Sequence, residues 1–463
     1  MPIICSVQKN GGGEKTVTFY KETNFKETPI GKIPEGWGIV KFGEVCKFKR
    51  GLSYRSNQIT KDPTKIRFIT INDFEKEGGL KRDAEKVYIK EGVYVDPDFF
   101  LTDEDVLIAN TDMSRGFIIG APILIKDIDD KLVYSMDLTK LIFNKSKIDG
   151  EFLFYYLTHE TVRQKMKTFA QGTNVLHLNH RLVKNMRVPL PLLLEQKAIA
   201  HILSTVDEAI QKTDEIIAKT EKLKKGLMQE LLTKGVGHKE FKDTEIGRIP
   251  KGWEVVKLMK ITTKIKDIDH KMPNKVKEGI PFVSVKYMLK YPDYDFRIVY
   301  TDPDLEFISE KDYQYHKRRF DAEKGDIIYS RFGTIGHAKL IQTEERFIAS
   351  YSIVLIKPKT IVYPLYLVYA LNSEKVRLQA KIATKGATNR NLHLEDIKNL
   401  KLPLPPLEEQ KKISEILSTV DKKLDVERNE KAKLERIKQG LMDLLLTGKI
   451  RVKVGSENAI CSC

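Results

Sequence analysis

The sequence has few cysteines, and their arrangement indicates neither a disulfide framework nor a metal centre. Only four occur among 463 residues, at positions 5, 46, 461 and 463, and no two have the spacing of a zinc-binding pair. Few cysteines are also typical of proteins that fold in a reducing compartment. We therefore expect a cytoplasmic protein that carries no metal ion.

Other absences exclude several classes of enzyme. The chain has no G-x-x-x-x-G-K-[ST] loop for ATP, no Asn-Pro-Pro-Tyr-like tetrapeptide and no glycine-rich methyl-donor loop. No apolar run is long enough to span a bilayer. A nuclease-like pattern can be assembled only from Pro97-Asp98 and Asp129-Asp130-Lys131, a loose match expected by chance when 31% of residues are charged. We predict a binding protein with no catalytic residues and no cofactor.

Positive charge is in clear excess. The net charge is +16 and the isoelectric point about 9.3, which favours a polyanionic partner. The segments 195–234 and 409–449 have net charges of zero and +2, which leaves +14 for the rest of the chain. A solvated basic surface is the alternative interpretation of the charge alone.

The chain contains one framework twice. Its opening block, Ile30–Trp37, returns 216 residues later as Ile246–Trp253. Three further blocks return after 214 residues: Val188–Pro191, Glu195–Lys197 and Ile202–Asp207 become Leu402–Pro405, Glu409–Lys411 and Ile416–Asp421. The segments between these blocks hardly agree. We infer one scaffold that carries two different recognition surfaces.

Two long helices follow the Pro-Leu-Pro blocks. Apolar residues there alternate in spacings of four and three, the heptad pattern of a coiled coil. The predicted contact positions are Ile199, Leu203, Val206, Ile210 and Ile217 in the first helix and Ile413, Leu417, Val420, Leu424 and Leu434 in the second. Leu223 and Ile437 are expected to continue these faces. Helices that pack on their own globular domains are the alternative.

These features predict an α+β fold. Two mixed α/β domains are separated by two long helices packed as an antiparallel coiled coil, with an internal pseudo-twofold repeat. The predicted segments are an N-terminal extension (1–20), a first domain (21–190), a first helix (191–236), a second domain (237–404), a second helix (405–450) and a C-terminal tail (451–463). The extension and the tail are candidates for disorder.

Candidate DNA contacts lie in polar, glycine-containing segments of both domains. Two strands predicted to be equivalent, Asp105–Ala109 and Asp326–Ser330, lead into loops whose side chains can read base edges. Cations beside an aromatic ring at Lys49–Arg55 suit phosphate contact. The candidates are Arg50, Ser53, Tyr54, Arg55, Asn110, Thr111, Arg115, Thr173 and Asn174 in the first copy and Lys317, Arg318, Arg319, Arg331, Thr334, Thr388, Asn389 and Arg390 in the second. An ordinary turn is the alternative for any single loop.

From about Phe25 to Lys449 the chain resembles the specificity subunit of type I restriction–modification enzymes. The paired Ile-Gly-x-Ile-Pro-x-Gly-Trp openings, the Pro-Leu-Pro…Glu-Gln-Lys…Leu-Ser-Thr-Val-Asp segments and the two Gly-Leu-Met stretches carry the resemblance. It implies that each globule is a target-recognition domain for one half of an asymmetric, bipartite duplex DNA site. It also implies that the helices set the gap between half-sites and dock two methyltransferase subunits, with restriction subunits joining them.

Two other functions fit parts of the pattern. A coiled-coil adaptor whose globules bind proteins would have divergent domains on a fixed strut, although the +14 charge outside the helices does not favour it. A free-standing transcriptional repressor would bind DNA tightly without a methyltransferase.

Overall fold

The computed structural model describes residues 3–7, 15–81, 84–113, 117–126, 131–268, 272–384 and 391–453, with backbone alone for residues 3–7 and 15–17. The chain divides into two compact units. Unit 1 contains residues 1–212 and 431–463, and unit 2 contains residues 213–430. Because both boundaries fall inside long helices, each unit has one globular domain, the start of one long helix and the end of the other.

Two helices are much longer than the rest. The helices are α1 (Phe42–Val45), α2 (Gly150–Thr158), α3 (Glu160–Thr168), α4 (His180–Asn185), α5 (Leu193–Lys234), α6 (Val285–Leu289), α7 (Glu310–Lys317), α8 (Pro364–Asn372), α9 (Glu374–Ala383), α10 (Leu394–Lys398) and α11 (Leu407–Leu445). Helices α5 and α11 have 42 and 39 residues, about 60 Å each at 1.5 Å per residue.

The strands are short and follow the turn-rich sequence. They are β1 (Ile3–Val7), β2 (Lys15–Lys21), β3 (Phe25–Thr28), β4 (Gly31–Pro34), β5 (Gly38–Lys41), β6 (Cys46–Arg50), β7 (Ile59–Thr60), β8 (Ile66–Ile69), β9 (Val87–Ile89), β10 (Val106–Ala109), β11 (Thr111–Asp112), β12 (Pro122–Leu124), β13 (Lys131–Tyr134), β14 (Leu138–Phe143), β15 (Ala170–Gln171), β16 (Leu176–Leu178), β17 (Arg187–Leu190), β18 (Phe241–Lys242), β19 (Ile249–Pro250), β20 (Glu254–Lys257), β21 (Thr262–Lys266), β22 (Lys275–Val276), β23 (Ile280–Val283), β24 (Glu306–Ile308), β25 (Ile327–Ser330), β26 (Ala338–Leu340), β27 (Ile348–Ala349), β28 (Ile353–Pro358), β29 (Lys401–Leu404) and β30 (Ile450–Val452).

The two units repeat the same sheets. An antiparallel sheet has the order β12-β10-β14-β6 in unit 1 and β26-β25-β28-β21 in unit 2. A mixed sheet has the order β7-β9-β8-β13 in unit 1 and β22-β24-β23-β27 in unit 2, with its last pair parallel in both. The predicted mixed α/β character and the equivalence of the strands now labelled β10 and β25 are confirmed.

The repeated sequence blocks form the core of each unit. Trp37 and Trp253, which close the two opening blocks, are almost fully buried. The indole Nε1 of Trp37 donates a hydrogen bond to Glu195 Oε2 at 3.0 Å, and Trp253 makes the same bond to Glu409 at 2.9 Å. The Glu-Gln-Lys blocks recur because their glutamates anchor these tryptophans.

Within each unit the two long helices run antiparallel. In unit 2, Lys224 Nζ lies 2.6 Å from Asp421 Oδ1, and Glu221 Oε1 lies 2.7 Å from Arg428 Nη2. Residue numbers therefore fall along α5 in the direction in which they rise along α11. This finding confirms the predicted antiparallel helix pair.

The predicted contact face is only partly buried, and the residues at the helix ends also pack into the globular domains. Ile199, Leu203, Ile413, Leu417 and Leu424 are buried, whereas Val206, Ile210, Ile217, Val420 and Leu434 are half-buried. The first turns of each helix join the core of their own globular domain, as the alternative prediction proposed, and pack there with the end of the other helix. The extension of the face was wrong at two positions, because Leu223 and Ile437 are 55% and 51% exposed.

A strand near the start of the sequence pairs in unit 1 with a strand near its end. Strand β2 pairs with β30, so that Phe19 lies opposite Val452. Arg451, which the sequence assigns to the tail, is buried and binds the carboxylates of Glu195 and Glu22, the latter at 2.8 Å. The expectation of disorder therefore fails for these strands, because their backbones pair and Arg451 neutralises the buried carboxylate of Glu195 and the half-buried one of Glu22.

Candidate nucleic-acid interface

In unit 1 the segment after the central strand β10 is held from several sides. Asn110 and Thr111 follow this strand and are buried, with Asn110 only 5% exposed. The Oδ1 atom of Asn110 lies 2.8 Å from His180 Nε2, and the Thr111 hydroxyl donates to Asp137 Oδ1 at 3.0 Å. Both residues were predicted to read bases. Their side chains hold the loop through these contacts, and base reading by the two residues stays a prediction.

The segment Lys49–Arg55 meets the same turn. Arg50 is exposed, and its Nε donates to the carbonyl oxygen of Met136 at 2.7 Å. The exposed Ser53 hydroxyl lies 3.6 Å from the sulfur of Met136. Gly51 allows this approach, since a Cβ there would lie 2.1 Å from the carbonyl oxygen of Ser135. The turn 135–137 thus joins two predicted clusters, although sequence reasoning gave it no role.

Tyr54 and Arg55 complete this segment. The ring of Tyr54 is half-buried and packs edge-on against Phe68, with 4.8 Å between ring centroids. Burial and the nearby charge of Asp137 raise the pKa of the Tyr54 phenol, so it stays a neutral hydrogen-bond donor. Arg55 is exposed.

A hairpin places a third predicted cluster beside the first. Strands β15 and β16 pair, and β16 also pairs with β11, so that Thr111 lies opposite His177. The intervening turn exposes Thr173 and Asn174. Three predicted clusters of unit 1 therefore share one surface. Arg115 lies outside the described residues.

Around this surface the charge is positive. Lys184 lies over the Phe48 ring at 5.4 Å, and the same ring lies 5.6 Å from the ring of His180. Burial lowers the pKa of His180, and the charges of Lys184 and Arg50 lower it further. His180 is therefore neutral near pH 7, and the arginine and lysine supply the positive charge.

In unit 2 the residue equivalent to Asn110 is Arg331, which follows the central strand β25. Its guanidinium is only 5% exposed, forms an ion pair with the buried carboxylate of Asp267 and donates to Asn391 Oδ1 at 3.2 Å. The terminal guanidinium nitrogens of Arg331 bind protein groups, and base reading by Arg331 stays a prediction. Arg319 binds the same aspartate through the carbonyl oxygen, at 3.1 Å.

Other unit 2 candidates remain accessible. Lys317 and Arg318 are exposed at the end of α7, and Lys317 Nζ lies 5.7 Å from the Tyr313 ring centroid. Thr334 is exposed on the loop after β25. Thr388, Asn389 and Arg390 lie outside the described residues.

Sequence reasoning missed two arginines that shape these loops. In unit 1, Arg163 donates to the carbonyl oxygens of Ile119 and Phe117 at 2.8 and 3.0 Å. In unit 2, Arg377 donates to the carbonyl oxygen of Gly336 at 3.2 Å. Each arginine thus fixes the far end of the loop that follows the central strand. The signal was present, since the Val-Arg pairs recur with the 214-residue shift.

Neither metal chemistry nor a membrane helix is indicated in the part of the chain that the structure describes. No group of three or more His, Cys, Asp or Glu side chains there could hold a metal ion. No described helix is both long and apolar enough to cross a bilayer.

Comparison with known proteins agrees with this duplicated architecture. Residues 34–222 and 250–436 each match the model of the type I restriction modification DNA specificity domain. The chain belongs to this family.

Individual relatives span nearly the whole chain. A putative type I restriction enzyme MjaX specificity subunit of Methanocaldococcus jannaschii is 32% identical, over 94% of this chain and 98% of the relative. The MjaVIII specificity subunit of the same organism is 30% identical over the same shares. The crystal structure of a type I restriction–modification S subunit from M. genitalium has a TM-score of 0.56 at 17% identity, over 88% of this chain and 96% of that one, and so shows a shared fold.

Proposed function

We propose that this chain is the DNA-specificity subunit of a type I restriction–modification complex and has no catalytic activity itself. The observation that carries the proposal is the match of both repeat copies to one DNA-specificity family. In unit 1, exposed Arg50 and Arg55 lie beside polar loops on a fixed scaffold, which suits phosphate and base contacts. Unit 2 exposes Lys317 and Arg318.

Each unit binds one half of a bipartite duplex site in this proposal. The two domains share a framework but differ in the side chains after the central strand, Asn110 in one and Arg331 in the other. Different surfaces would read different bases, so the complete site is asymmetric. The continuous helices α5 and α11 would fix the number of base pairs between the half-sites.

The proposed protein partners are two methyltransferase subunits and, with them, restriction subunits. Leu223 and Ile437 support a paired partner, because they are exposed apolar residues at positions related by the 214-residue repeat. A repeated apolar position on nearly neutral helices suits two copies of one protein. Methyl donor and ATP would then be bound by these partners. Duplex DNA as the target implies action in the cytoplasm.

Selection from a random duplex library tests the proposal. The chain would be co-purified with its methyltransferase partner and used to enrich bound duplexes at several salt concentrations. We expect a two-part motif with a fixed gap, and an affinity that falls steeply as salt rises. Enrichment of no motif, with weak and salt-insensitive binding, would instead support a protein-binding adaptor. Equally tight, specific binding without the methyltransferase would support a repressor.

A further inference from the structure

One arginine on the unit 1 surface differs from the other cations in how it is fixed. Arg50 is the last residue of β6 and lies opposite Thr139 of β14. Because side chains alternate along a strand, Arg50 projects on the same face as Phe48. The Phe48 ring packs against Phe42 at 5.6 Å, so the arginine extends from a well-packed part of the sheet.

The backbone around this arginine is also fixed. Gly51 N donates to the carbonyl oxygen of Leu138 at 3.0 Å, and Leu52 exchanges hydrogen bonds with Tyr134 and Met136, at 2.8 and 2.9 Å. The chain cannot shift inward, since Gly51 already lies against Ser135. The base of the side chain is therefore held in one place.

The guanidinium itself is held by one edge. Its Nε donates to the Met136 carbonyl oxygen at 2.7 Å, an oxygen that also lies 3.5 Å from Asn110 Nδ2. Within the described residues, the two terminal nitrogens of Arg50 have neither a hydrogen-bond nor an ion-pair partner. The two terminal nitrogens therefore present parallel N–H donors, and the hydrogen bond from Nε fixes their direction.

This arrangement suits a guanine base. In the major groove, guanine presents two acceptors, O6 and N7, which a planar guanidinium binds with two parallel hydrogen bonds. Anchoring before binding reduces the rotamer entropy lost on contact. A phosphate is also bound by guanidinium, but mobile surface cations suffice for that task, and the exposed Arg181 and Lys184 lie on the adjacent α4.

We propose that Arg50 reads a guanine in the half-site bound by unit 1. The proposal rests on the proposed function, since it requires that unit 1 bind duplex DNA. It assigns the base-reading role to an anchored, exposed arginine, in contrast to the buried Arg331 of unit 2.

Base-analogue scanning with the complex tests the assignment. Once the bipartite motif is known, each guanine is replaced singly by 7-deazaguanine, which lacks the N7 acceptor. For one guanine of one half-site, we expect the wild-type complex to lose affinity and the Arg50→Ala complex to lose nothing further. A bidentate contact is worth about 5- to 150-fold in affinity, and the N7 bond is expected to supply part of that. Guanines of the other half-site serve as internal controls.

Arg55→Ala is the matched variant, because Arg55 is a nearby exposed arginine in the same segment. It should weaken binding to all duplexes alike and keep the response to every 7-deazaguanine. Arg50→Lys should keep the charge but lose the guanine preference, since an ammonium cannot make the bidentate contact. Thermal melting of each complex identifies a variant that fails to fold.

Several results would overturn the assignment. One is a motif without a guanine in either half-site that responds to Arg50 substitution. Another is an Arg50→Ala complex that binds every sequence more weakly while each analogue acts as in the wild type, which identifies a phosphate contact. If no 7-deazaguanine changes the affinity of the wild-type complex, the assignment of Arg50 is overturned even if Arg50→Ala does not fold. Failure of the proposed function is distinct, because then no bipartite motif is found.

Discussion

The hydroxyl of Tyr155 donates a hydrogen bond to the carboxylate of Asp207 over 2.8 Å, and Tyr369 repeats the contact with Asp421 at 2.7 Å. Each tyrosine lies on a helix of a globular domain, and each aspartate ends a Leu-Ser-Thr-Val-Asp block. A lysine from the end of the other long helix pairs with each aspartate at 2.6 Å. The repeated block is therefore the joint between a domain, its helix and the opposing helix.

Removing one of these hydroxyls should destabilise the contact between the globular domain and the long helices. For Tyr155→Phe or Tyr369→Phe we expect the free energy of unfolding to fall by about 1–3 kcal/mol, because a hydrogen bond to a charged acceptor is lost, partly buried at Tyr155 and buried at Tyr369. Urea unfolding followed by circular dichroism measures this change. Tyr94→Phe is the control, since the Tyr94 side chain is 81% exposed. Equal effects at Tyr94 and Tyr155 would contradict the proposed role.

Arg331→Ala should impair folding of unit 2 instead of relaxing base preference. Asp267 is buried and would lose its buried counter-ion, so we expect a loss of about 3 kcal/mol or more in stability. Differential scanning calorimetry of the purified chain checks the prediction. The exposed Arg318→Ala variant should melt like the wild type and lower the salt dependence of DNA binding. A stable Arg331→Ala chain with altered base preference would restore Arg331 as a reader.

The sequence predicted the repeated framework of strands and long helices better than the residues that contact DNA in the proposed function. Buried strands such as Val106–Ala109 are continuous apolar runs, and the repeat frame located the helices because their anchors, Glu195 and Glu409, recur in register. Composition could not distinguish a reading arginine from a structural one. Arg50 ends one short strand and Arg331 follows another, and only the tertiary position of Asp267 shows that Arg331 forms a buried ion pair.

The exposed helix positions were mispredicted for a related reason. The apolar spacing, after a small phase change in the first helix, predicts Leu223 and Ile437 on the contact face, yet both are exposed. Farther along the same helices Leu231 and Leu445 are buried in the cores of the globular domains, so Leu223 and Ile437 lie on stretches of helix outside those cores. What the sequence does give is that the two residues occupy equivalent positions of the repeat.

Two leucines of α5 should respond differently to a charge. Leu203→Asp buries a carboxylate in the core of unit 1, where Leu203 is fully buried, and should prevent its folding. Leu223→Asp should leave the melting temperature unchanged but weaken methyltransferase binding, and Ile437→Asp should do the same. Co-purification with the methyltransferase, beside a melting curve, separates the outcomes. Unchanged assembly in the Leu223→Asp, Ile437→Asp double variant would remove these residues from the docking surface.

Stability should fall in mild acid through His337. Burial and the charge of Arg377 lower the pKa of His337 to about 4, while an unfolded histidine titrates near 6.5. The neutral ring is thus favoured in the folded state, so its contribution is complete above about pH 6.5 and is lost as the pH falls toward 4. His337→Gln should flatten this part of the stability profile. His201→Gln, at an exposed position of α5, should leave the profile unchanged.

The helices should determine the gap between half-sites. Four residues inserted after Glu215 and after Asn429 lengthen both helices at equivalent positions and preserve the flanking pairs, such as Lys224 with Asp421. Four residues add about 6 Å, so we expect a gap longer by one or two base pairs. Insertion into one helix alone should shift the pairing and reduce assembly. Motif mapping of each variant gives the gap, and an unchanged gap after the double insertion would contradict the spacer role.

Long-read methylation mapping of the host genome, with this gene intact and disrupted, tests the central claim most directly. We predict that disruption removes one bipartite methylated motif and leaves all other methylation in place. The two halves of that motif would give the bases assigned to the two units. An unchanged methylome, in cells where the intact chain is bound to its methyltransferase, would contradict the claim that this protein selects the DNA sequence.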